Sequence, residues 1–231
     1  MNWVLGNLDL IVRLTGEHLR QCAPPIVMGL MLSIPLGWVA YRYRLTRGVV
    51  LTVVGLLYTI PSLALFAILP PLLGLSFLSE LNLIIALTIY AVAIMTRFAA
   101  DAFTSVAPSV RQAARAVGYG PWQRFWRVEL PLAGPVMIAG LRVTAVSTIS
   151  LATVGVLIGI DNLGYLFTNG YQREILPSVL AGVVATVAVA LVVDVLIQLA
   201  GQLLMPWWSG TAQGGTARSG STQPRSARPG R

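Results

Sequence analysis

"VRQAARAVGYGPWQRFWRVELP", residues 110–131, lies between two strongly apolar stretches and carries four arginines. Its first half has an apolar stripe at helical spacing, formed by Val110, Ala113, Ala114 and Val117. Gly118 suits the position after a helix end, where a positive φ is favoured, and Pro121 suits the first turn of a second helix. We expect the second helix to end at Pro131, because proline restricts the residue before it. The stretch therefore predicts a basic hairpin of two short helices around a glycine turn.

The composition indicates that the rest of the chain lies in a lipid bilayer. Of the 231 residues, 56% are hydrophobic and 10% are charged, and the mean hydropathy is +0.76. A soluble domain has roughly a quarter of its residues charged. If most of the chain is embedded in a membrane, its length leaves no room for a second, soluble catalytic or ligand-binding domain.

The residue types that are missing exclude several kinds of site. All 16 basic residues are arginines, so a nucleotide-binding P-loop, which requires a lysine, is excluded. The sequence has one histidine, His18, and one cysteine, Cys22, which are too few for a zinc site of the usual kind. No cluster of histidine, cysteine or carboxylate residues offers a catalytic constellation. We therefore expect no cofactor, no metal and no enzymatic activity in this chain.

Five stretches are long and apolar enough to cross a membrane as helices, which takes about 20 residues each. They cover residues 21–40, 48–73, 81–96 (or as far as 100), 132–160 and 176–208. Several contain prolines, which a membrane bundle tolerates because neighbouring helices can satisfy the freed backbone groups. The sequence predicts an all-α integral membrane protein with about five transmembrane helices.

The arginines in short loops predict the orientation, since cytoplasmic loops are enriched in basic residues. Clusters of arginines lie after the first span, between the third and fourth spans, and at the end of the chain. The charged residues of the loops on the opposite side, 74–80 and 161–175, are mainly acidic. The amino terminus is therefore expected outside and the carboxyl terminus in the cytoplasm. Residues 1–20 are expected to lie on the outer interface as an amphipathic segment, residues 21–208 to form the membrane domain, and residues 209–231 to be a disordered basic tail.

Two ionisable residues, Arg142 and Asp194, fall within the predicted spans and are candidates for functional sites. Arg142 either extends its side chain towards the cytoplasmic surface, pairs with polar groups of a neighbour, or contacts the solute. Asp194 is expected to face the bundle or a subunit interface. A salt bridge between the two is a hypothesis that a charge swap would test.

The spacing within the hairpin resembles a signature of one transporter family. Gln112-Ala113-Ala114, three residues, Gly118, nine residues, Val128, one residue and Leu130-Pro131 are similar to E-A-A-x3-G-x9-I-x-L-P, found in permease subunits of binding-protein-dependent ABC importers. Gln112 stands in place of the glutamate and keeps its hydrogen-bonding capacity without the charge. Helical periodicity alone fits equally well with a basic amphipathic pair resting on the anionic inner leaflet.

The resemblance implies the type I ABC importer permease fold, a five-helix bundle with a cytoplasmic coupling loop. In that family the loop docks into a cleft of a separate ATP-binding subunit, so ATP hydrolysis lies outside the permease chain. Ala113, Ala114 and Gly118 would permit close approach of that subunit, and Trp122 and Trp126 are expected to brace the second helix against the bundle or the membrane. The other implied partners are a second permease subunit, an external solute-binding protein and the plasma membrane, and no nucleic acid is expected.

Further stretches resemble the osmoprotectant branch of the family, whose permeases carry glycine betaine, choline, carnitine or proline betaine. They are "YTIPSLALFAILPPLLG" at residues 58–74, "SVAPSVRQAARAVGYGPWQRFWRVELPLAGPVMIAGLR" at 105–142 and "ATVGVLIGIDNLGYLFTNG" at 152–170. Permeases for methionine, sulfonates or polar amino acids share the hairpin signature and remain alternatives for the solute. A secondary transporter that works without ATP is the alternative of another class.

The resemblance also implies alternating access, with the translocation path between two permease subunits. Helix breaks near the middle of the bilayer are where such paths are found. Thr59, Pro61 and Ser62 are the candidates for this path, because a proline beside hydroxyl groups leaves polar atoms accessible. A purely structural kink explains the same three residues equally well.

Overall fold

The computed structural model describes residues 2–207 and is helical throughout that part of the chain, with connecting turns. The helices are α1 (Asn2–Gly6), α2 (Leu8–Arg42), α3 (Arg44–Thr59), α4 (Ser62–Leu73), α5 (Glu80–Ser105), α6 (Pro108–Ala116), α7 (Pro121–Arg124), α8 (Leu130–Ala152), α9 (Gly164–Gln172) and α10 (Leu176–Leu204). A π-helical turn, Phe125–Glu129, joins α7 to α8, and a 3-10 segment, Thr153–Ile158, follows α8. The predicted tail at 209–231 lies outside the described residues.

The structure confirms the prediction of an all-α protein with about five membrane spans. Between residues 2 and 207, four helical stretches are long and apolar enough to cross a bilayer: α2, α5, residues 121–158 and α10. The fifth is formed by α3 and α4 together, which are bent by 102° at a short break. The bend lies within the predicted second span, at Ile60 and Pro61.

Helix α2 is longer than the predicted first span and has no break at residue 20. Its 35 residues extend about 52 Å, more than the roughly 30 Å of hydrocarbon in a bilayer. Residues 8–20 therefore continue the first spanning helix and do not form a separate helix. Leu14 and His18 are fully buried within this extension, so it packs against the rest of the protein.

The centre of the bundle is formed by α2, α5 and α8. Helices α2 and α5 run parallel, with Gly29 against Ala91 and Gly37 against Ala99. A Cβ atom on Gly37 would lie 2.5 Å from the Cβ of Ala99, so only glycine permits this approach. Close contact through small residues is a common way for membrane helices to associate.

A buried polar network joins the first half of α2 to the end of α8 and the segment that follows it. Asn162 donates to the carbonyl of Ala152 at 2.8 Å and to Gln21 Oε1 at 3.2 Å. Gln21 Nε2 in turn donates to the carbonyl of Asp161 at 3.0 Å. His18 Nε2 lies 3.1 Å from the carbonyl oxygen of Ile149. Because buried polar groups need such partners, the network fixes the segment after α8 against α2.

Candidate functional site

The hairpin at residues 110–131 folds as two helices joined by a glycine turn, as predicted. Gly118 has a φ of 87°, which strains any residue with a side chain. The N–H of Tyr119 donates to the carbonyl of Ala114, and the N–H of Gly118 to that of Arg115, both at 3.0 Å. This is a Schellman motif, which satisfies the last carbonyls of α6. No atom lies within 4 Å of a Cβ built on Gly118, so here the backbone conformation, not a lack of space, requires glycine.

The prediction that Pro131 ends the second helix is wrong. Pro131 lies in the first turn of α8, and the helical path continues from residue 121 to residue 152. The π turn between α7 and α8 is closed by the N–H of Leu130, which donates to the carbonyl of Phe125. Proline has no N–H to donate and is tolerated in a first helical turn. The change from π to α geometry provides such a turn inside a continuous helix.

Arg111 attaches the first helix of the hairpin to the bundle. Its guanidinium donates to Tyr41 Oη and to the carbonyl of Val106, and lies 4.9 Å from the centre of the Tyr41 ring. The Tyr41 ring stacks on Phe103, with their centres 6.1 Å apart. The hairpin is thus fixed to the ends of α2 and α5 through one cation and two aromatic rings.

A buried ion pair holds the second half of the hairpin. Arg124 Nε lies 2.7 Å from Glu129 Oε1, and the two side chains are 8% and 3% exposed. Glu129 also accepts a hydrogen bond of 3.4 Å from Trp38 Nε1 on α2. The sequence reasoning missed Glu129. It could have been recognised from the sequence, because Glu129 is the single carboxylate within residues 110–131 and follows Arg124 by five residues.

The residues of the signature lie on two sides of the hairpin. The exposed ones are Gln112, Ala113 and Gly118. The buried or half-buried ones are Ala114, Val128, Leu130 and Pro131. Trp122 and Trp126 pack against the buried ring of Phe125 but are 68% and 52% exposed. The hairpin therefore presents outwards a patch formed by Gln112, Ala113 and Gly118, with two partly exposed tryptophans on its second half, and is fixed to the bundle by its other side.

The break between α3 and α4 opens onto a cavity of about 460 Å³, called here the break cavity. It is lined by Tyr58, Ile60, Ser62, Tyr90, Val146, Ser147, Ser150 and Leu151. Of the three predicted path residues, Ser62 lines the cavity, whereas Thr59 and Pro61 lie beside it and are exposed. Thr59 Oγ1 donates to the carbonyl of Leu56 at 2.7 Å. The sequence reasoning did not identify Tyr58 and Tyr90.

Arg142 and Asp194 form a salt bridge, as hypothesised. Two parallel hydrogen bonds of 2.7 Å join Arg142 Nε to Asp194 Oδ1 and Arg142 Nη2 to Asp194 Oδ2. This bidentate geometry is the strong form of an arginine–carboxylate contact. The side chains remain 39% and 21% exposed and border a pocket that shares Val146 and Ser147 with the break cavity.

Among residues 2–207, no group of three or more histidine, cysteine or carboxylate residues could hold a metal ion.

Comparison with known sequences identifies relatives over most of the chain. The family model described as "Binding-protein-dependent transport system inner membrane component" matches residues 26–206. The chain is 31% identical to the osmoprotectant import permease protein OsmW of Salmonella typhimurium, over 89% of this chain and 97% of that protein. It is 32% identical to the choline transport system permease protein OpuBB of Bacillus subtilis, over 83% and 87% of the two chains.

Comparison with solved structures supports the fold. A chain of the MetNI methionine ABC transporter, in an inward-facing conformation, superposes with a TM-score of 0.75 at 22% identity, covering 87% of this chain and 97% of that one. A chain of an amino acid ABC transporter superposes with a TM-score of 0.67 at 13% identity, covering 88% and 96%. The predicted type I importer fold is thereby confirmed. With residues 26–206 matched and the helices arranged as in these transporters, the chain belongs to the family of inner-membrane permease components of binding-protein-dependent ABC transport systems.

Proposed function

We propose that this permease subunit moves a small osmoprotectant with a quaternary ammonium group into the cell. Glycine betaine, choline, carnitine and proline betaine are the expected solutes. The names of the relatives support this class, since OsmW imports osmoprotectants and OpuBB choline. A further relative, OpuCB of Bacillus subtilis, is a glycine betaine, carnitine and choline permease and is 31% identical over 89% of this chain.

The hairpin is the proposed contact with a separate ATP-binding subunit, and its geometry is the observation that carries the proposal. Ala113 and Gly118 face outwards with little or no side chain, and the exposed amide of Gln112 lies beside them, so another protein surface can approach the backbone closely and form hydrogen bonds there. Arg111 and the Arg124–Glu129 pair fix the hairpin to the bundle. A movement imposed on the hairpin would therefore be passed to the membrane helices.

Helix α8 is the route by which such a movement would reach the solute. It continues from α7 through the π turn without a break. It also carries Ser147 and Ser150, which line the break cavity. Closure of the ATP-binding subunits would in this way change the walls of the cavity.

The proposed translocation path runs along the break cavity, beside Thr59, Pro61 and Ser62, and a second permease subunit completes it. The face of α8 next to the cavity has hydroxyl groups and the partly exposed Arg142–Asp194 pair. Ionised side chains within a membrane face the interior of a bundle or water, because contact with lipid is costly. A second permease covering this face would supply that environment.

The proposed orientation places the hairpin in the cytoplasm of a cell whose plasma membrane holds the protein. Gly201, near the end of α10, packs against Ile138 close to the start of α8. Residues 209–231 would then be a cytoplasmic tail, with its arginines on the side that basic residues favour. Residues 1–20 would lie on the outer side, where the external solute-binding protein delivers its solute. Because residues 8–20 belong to α2, the permease domain would begin at Leu8 and not at residue 21, and would extend to residue 208.

Uptake into proteoliposomes tests the proposal directly. The permease is reconstituted with its second permease, ATP-binding subunit and binding protein, and uptake of radiolabelled glycine betaine, choline and methionine is measured. Gly118→Arg should abolish ATP-dependent uptake, because it adds a bulky side chain to the outward face and strains the turn at a residue with a φ of 87°. Gly48→Arg is the control for an added exposed arginine, since Gly48 is also exposed and has no atom within 4 Å of a Cβ. Gly74→Arg is the control for backbone strain, since Gly74 also has a positive φ, of 67°, and an open Cβ position outside the hairpin.

The outcomes separate the two parts of the proposal. ATP-dependent uptake of a quaternary amine that only Gly118→Arg abolishes supports both the coupling role and the solute class. Uptake that persists without the ATP-binding subunit contradicts the coupling role. ATP-dependent uptake of methionine, with none of the quaternary amines, contradicts the solute class alone.

A further inference from the structure

Two tyrosines meet in the break cavity. The ring centres of Tyr58 and Tyr90 are 6.2 Å apart, and the rings are nearly perpendicular at 84°. Tyr90 is 3% exposed, and its hydroxyl donates to the carbonyl of Ile60, which the helix break leaves without a helical partner. Tyr58 is 53% exposed at the end of α3. Tyr90 is thus a structural support of the break, and Tyr58 is the ring that a solute in the cavity can reach.

The rest of the cavity wall combines hydroxyl groups with aliphatic side chains and carries no formal charge. Ser62, Ser147 and Ser150 contribute hydroxyl groups, and the remaining lining residues are aliphatic. The charged groups that adjoin it, Arg142 and Asp194, are occupied with each other. A cation in this cavity would therefore find an aromatic ring and hydroxyl oxygens as its available partners.

We propose that the break cavity is a solute contact site inside the membrane, where the ring of Tyr58 binds a quaternary ammonium group. This inference rests on the proposed function and names a residue that determines the solute class. A quaternary ammonium has no N–H to donate, so it is held by the negative face of an aromatic ring. The serine hydroxyls are suited to donate to the carboxylate of glycine betaine or to exchange hydrogen bonds with the hydroxyl of choline.

The modest strength of such a site agrees with its place on a transport path. Conduction requires binding that is favourable enough for entry and weak enough for release. A single partly exposed ring provides a weak interaction, in contrast to a full aromatic cage. The cavity therefore has the chemistry of a site of passage, whereas tight capture belongs to the external binding protein.

The test compares variants of Tyr58 in the reconstituted importer. Radiolabelled glycine betaine uptake and ATP hydrolysis are measured together, at saturating solute-loaded binding protein. The variants are Tyr58→Phe, Tyr58→Leu and a third with pentafluorophenylalanine at position 58, whose ring keeps its shape but loses its negative face. Tyr43→Leu is the matched control, because Tyr43 is also 53% exposed and lies at the other end of α3, outside the cavity.

Tyr58→Phe and Tyr43→Leu should leave uptake per ATP near the wild-type value. Tyr58→Leu and the pentafluoro variant should lower it by about 2- to 5-fold, as expected for the loss of one cation–π contact to a partly exposed ring. Wild-type uptake in the Tyr58→Leu importer, or equal uptake by the phenylalanine and pentafluoro variants, overturns the inference while the proposed function stands. A wild-type importer that moves no quaternary amine overturns the proposed function first, and this inference with it.

Discussion

The buried Arg124–Glu129 pair should be required both for stability and for the link between the hairpin and α8. The pair spans the π turn, since Arg124 ends α7 and Glu129 is the last residue of the turn. Glu129→Gln keeps the shape of the side chain and an oxygen that can accept from Arg124 and Trp38. It removes the negative charge and leaves the buried guanidinium without a counter-ion.

The expected cost follows from the burial of both groups. With exposures of 8% and 3%, the pair has little access to water, and removing one partner of a buried pair costs about 3–5 kcal/mol. Since glutamine keeps part of the hydrogen bonding, we expect about 3 kcal/mol for Glu129→Gln. The double variant Arg124→Gln/Glu129→Gln leaves no unpaired charge, so it should be less destabilised than the sum of the singles by about 2 kcal/mol.

Unfolding by SDS titration in mixed micelles measures these free energies, and a double-mutant cycle gives the coupling. Glu17→Gln is the control, because Glu17 pairs with Arg20 at the surface, with exposures of 37% and 64%. An exposed pair contributes at most about 1 kcal/mol. In the reconstituted importer, Glu129→Gln should also keep stimulated ATP hydrolysis while solute uptake per ATP falls.

A Glu129→Gln variant as stable as the wild type would refute the reasoning about burial. So would a double-mutant cycle with no coupling energy, because it would mean that the two charges do not sense each other. If stability falls as expected but uptake per ATP is unchanged, the pair is structural and the proposed transmission through the π turn is wrong.

Two other predictions concern the packing of the bundle and its intramembrane charges. Gly37→Leu should destabilise the protein by more than about 3 kcal/mol in the same titration, because the added side chain meets the backbone of α5. The control Gly48→Leu, at an open position, should change stability little. Equal stability of the two variants would contradict the close approach of α2 and α5. Arg142→Asp and Asp194→Arg should each reduce the amount of assembled importer recovered from membranes, and the swapped double variant should restore it. Loss of assembly in all three would speak against the pair.

The hairpin was predictable from the sequence because its residues act locally. A left-handed turn requires glycine at residue 118, and a helical stripe follows from spacing alone. The fold class and the number of spans were predictable for a similar reason, since bilayer thickness fixes the length of apolar helices. The salt bridge between Arg142 and Asp194 could be suggested because ionised groups in a membrane need partners.

What could not be predicted depends on contacts between distant parts of the chain. The short, broken apolar run before residue 21 predicted a boundary, but α2 continues through it, and Arg20 there pairs with Glu80 on α5 at 2.8 Å. The π turn that admits Pro131 into a continuous helix leaves no periodic signal in so short a segment. Tyr58 and Tyr90 are 32 residues apart in the chain and come together because α3 packs against α5.

The position of the ion pair at the π turn suggests why the hairpin is attached in this way. From Leu130 to Ser147, α8 extends about 26 Å, most of the thickness of the hydrocarbon layer. A tilt of about 10° at the hairpin would thus move Ser147 by about 4 Å, enough to change the shape of the break cavity. A π turn that was free to bend would absorb that tilt before it reached the membrane. Because Arg124 and Glu129 join the two sides of the turn, the proposed coupling requires the pair to stay closed. The number of solute molecules moved per ATP in the Glu129→Gln importer, compared with the wild type, measures how strongly coupling depends on this pair.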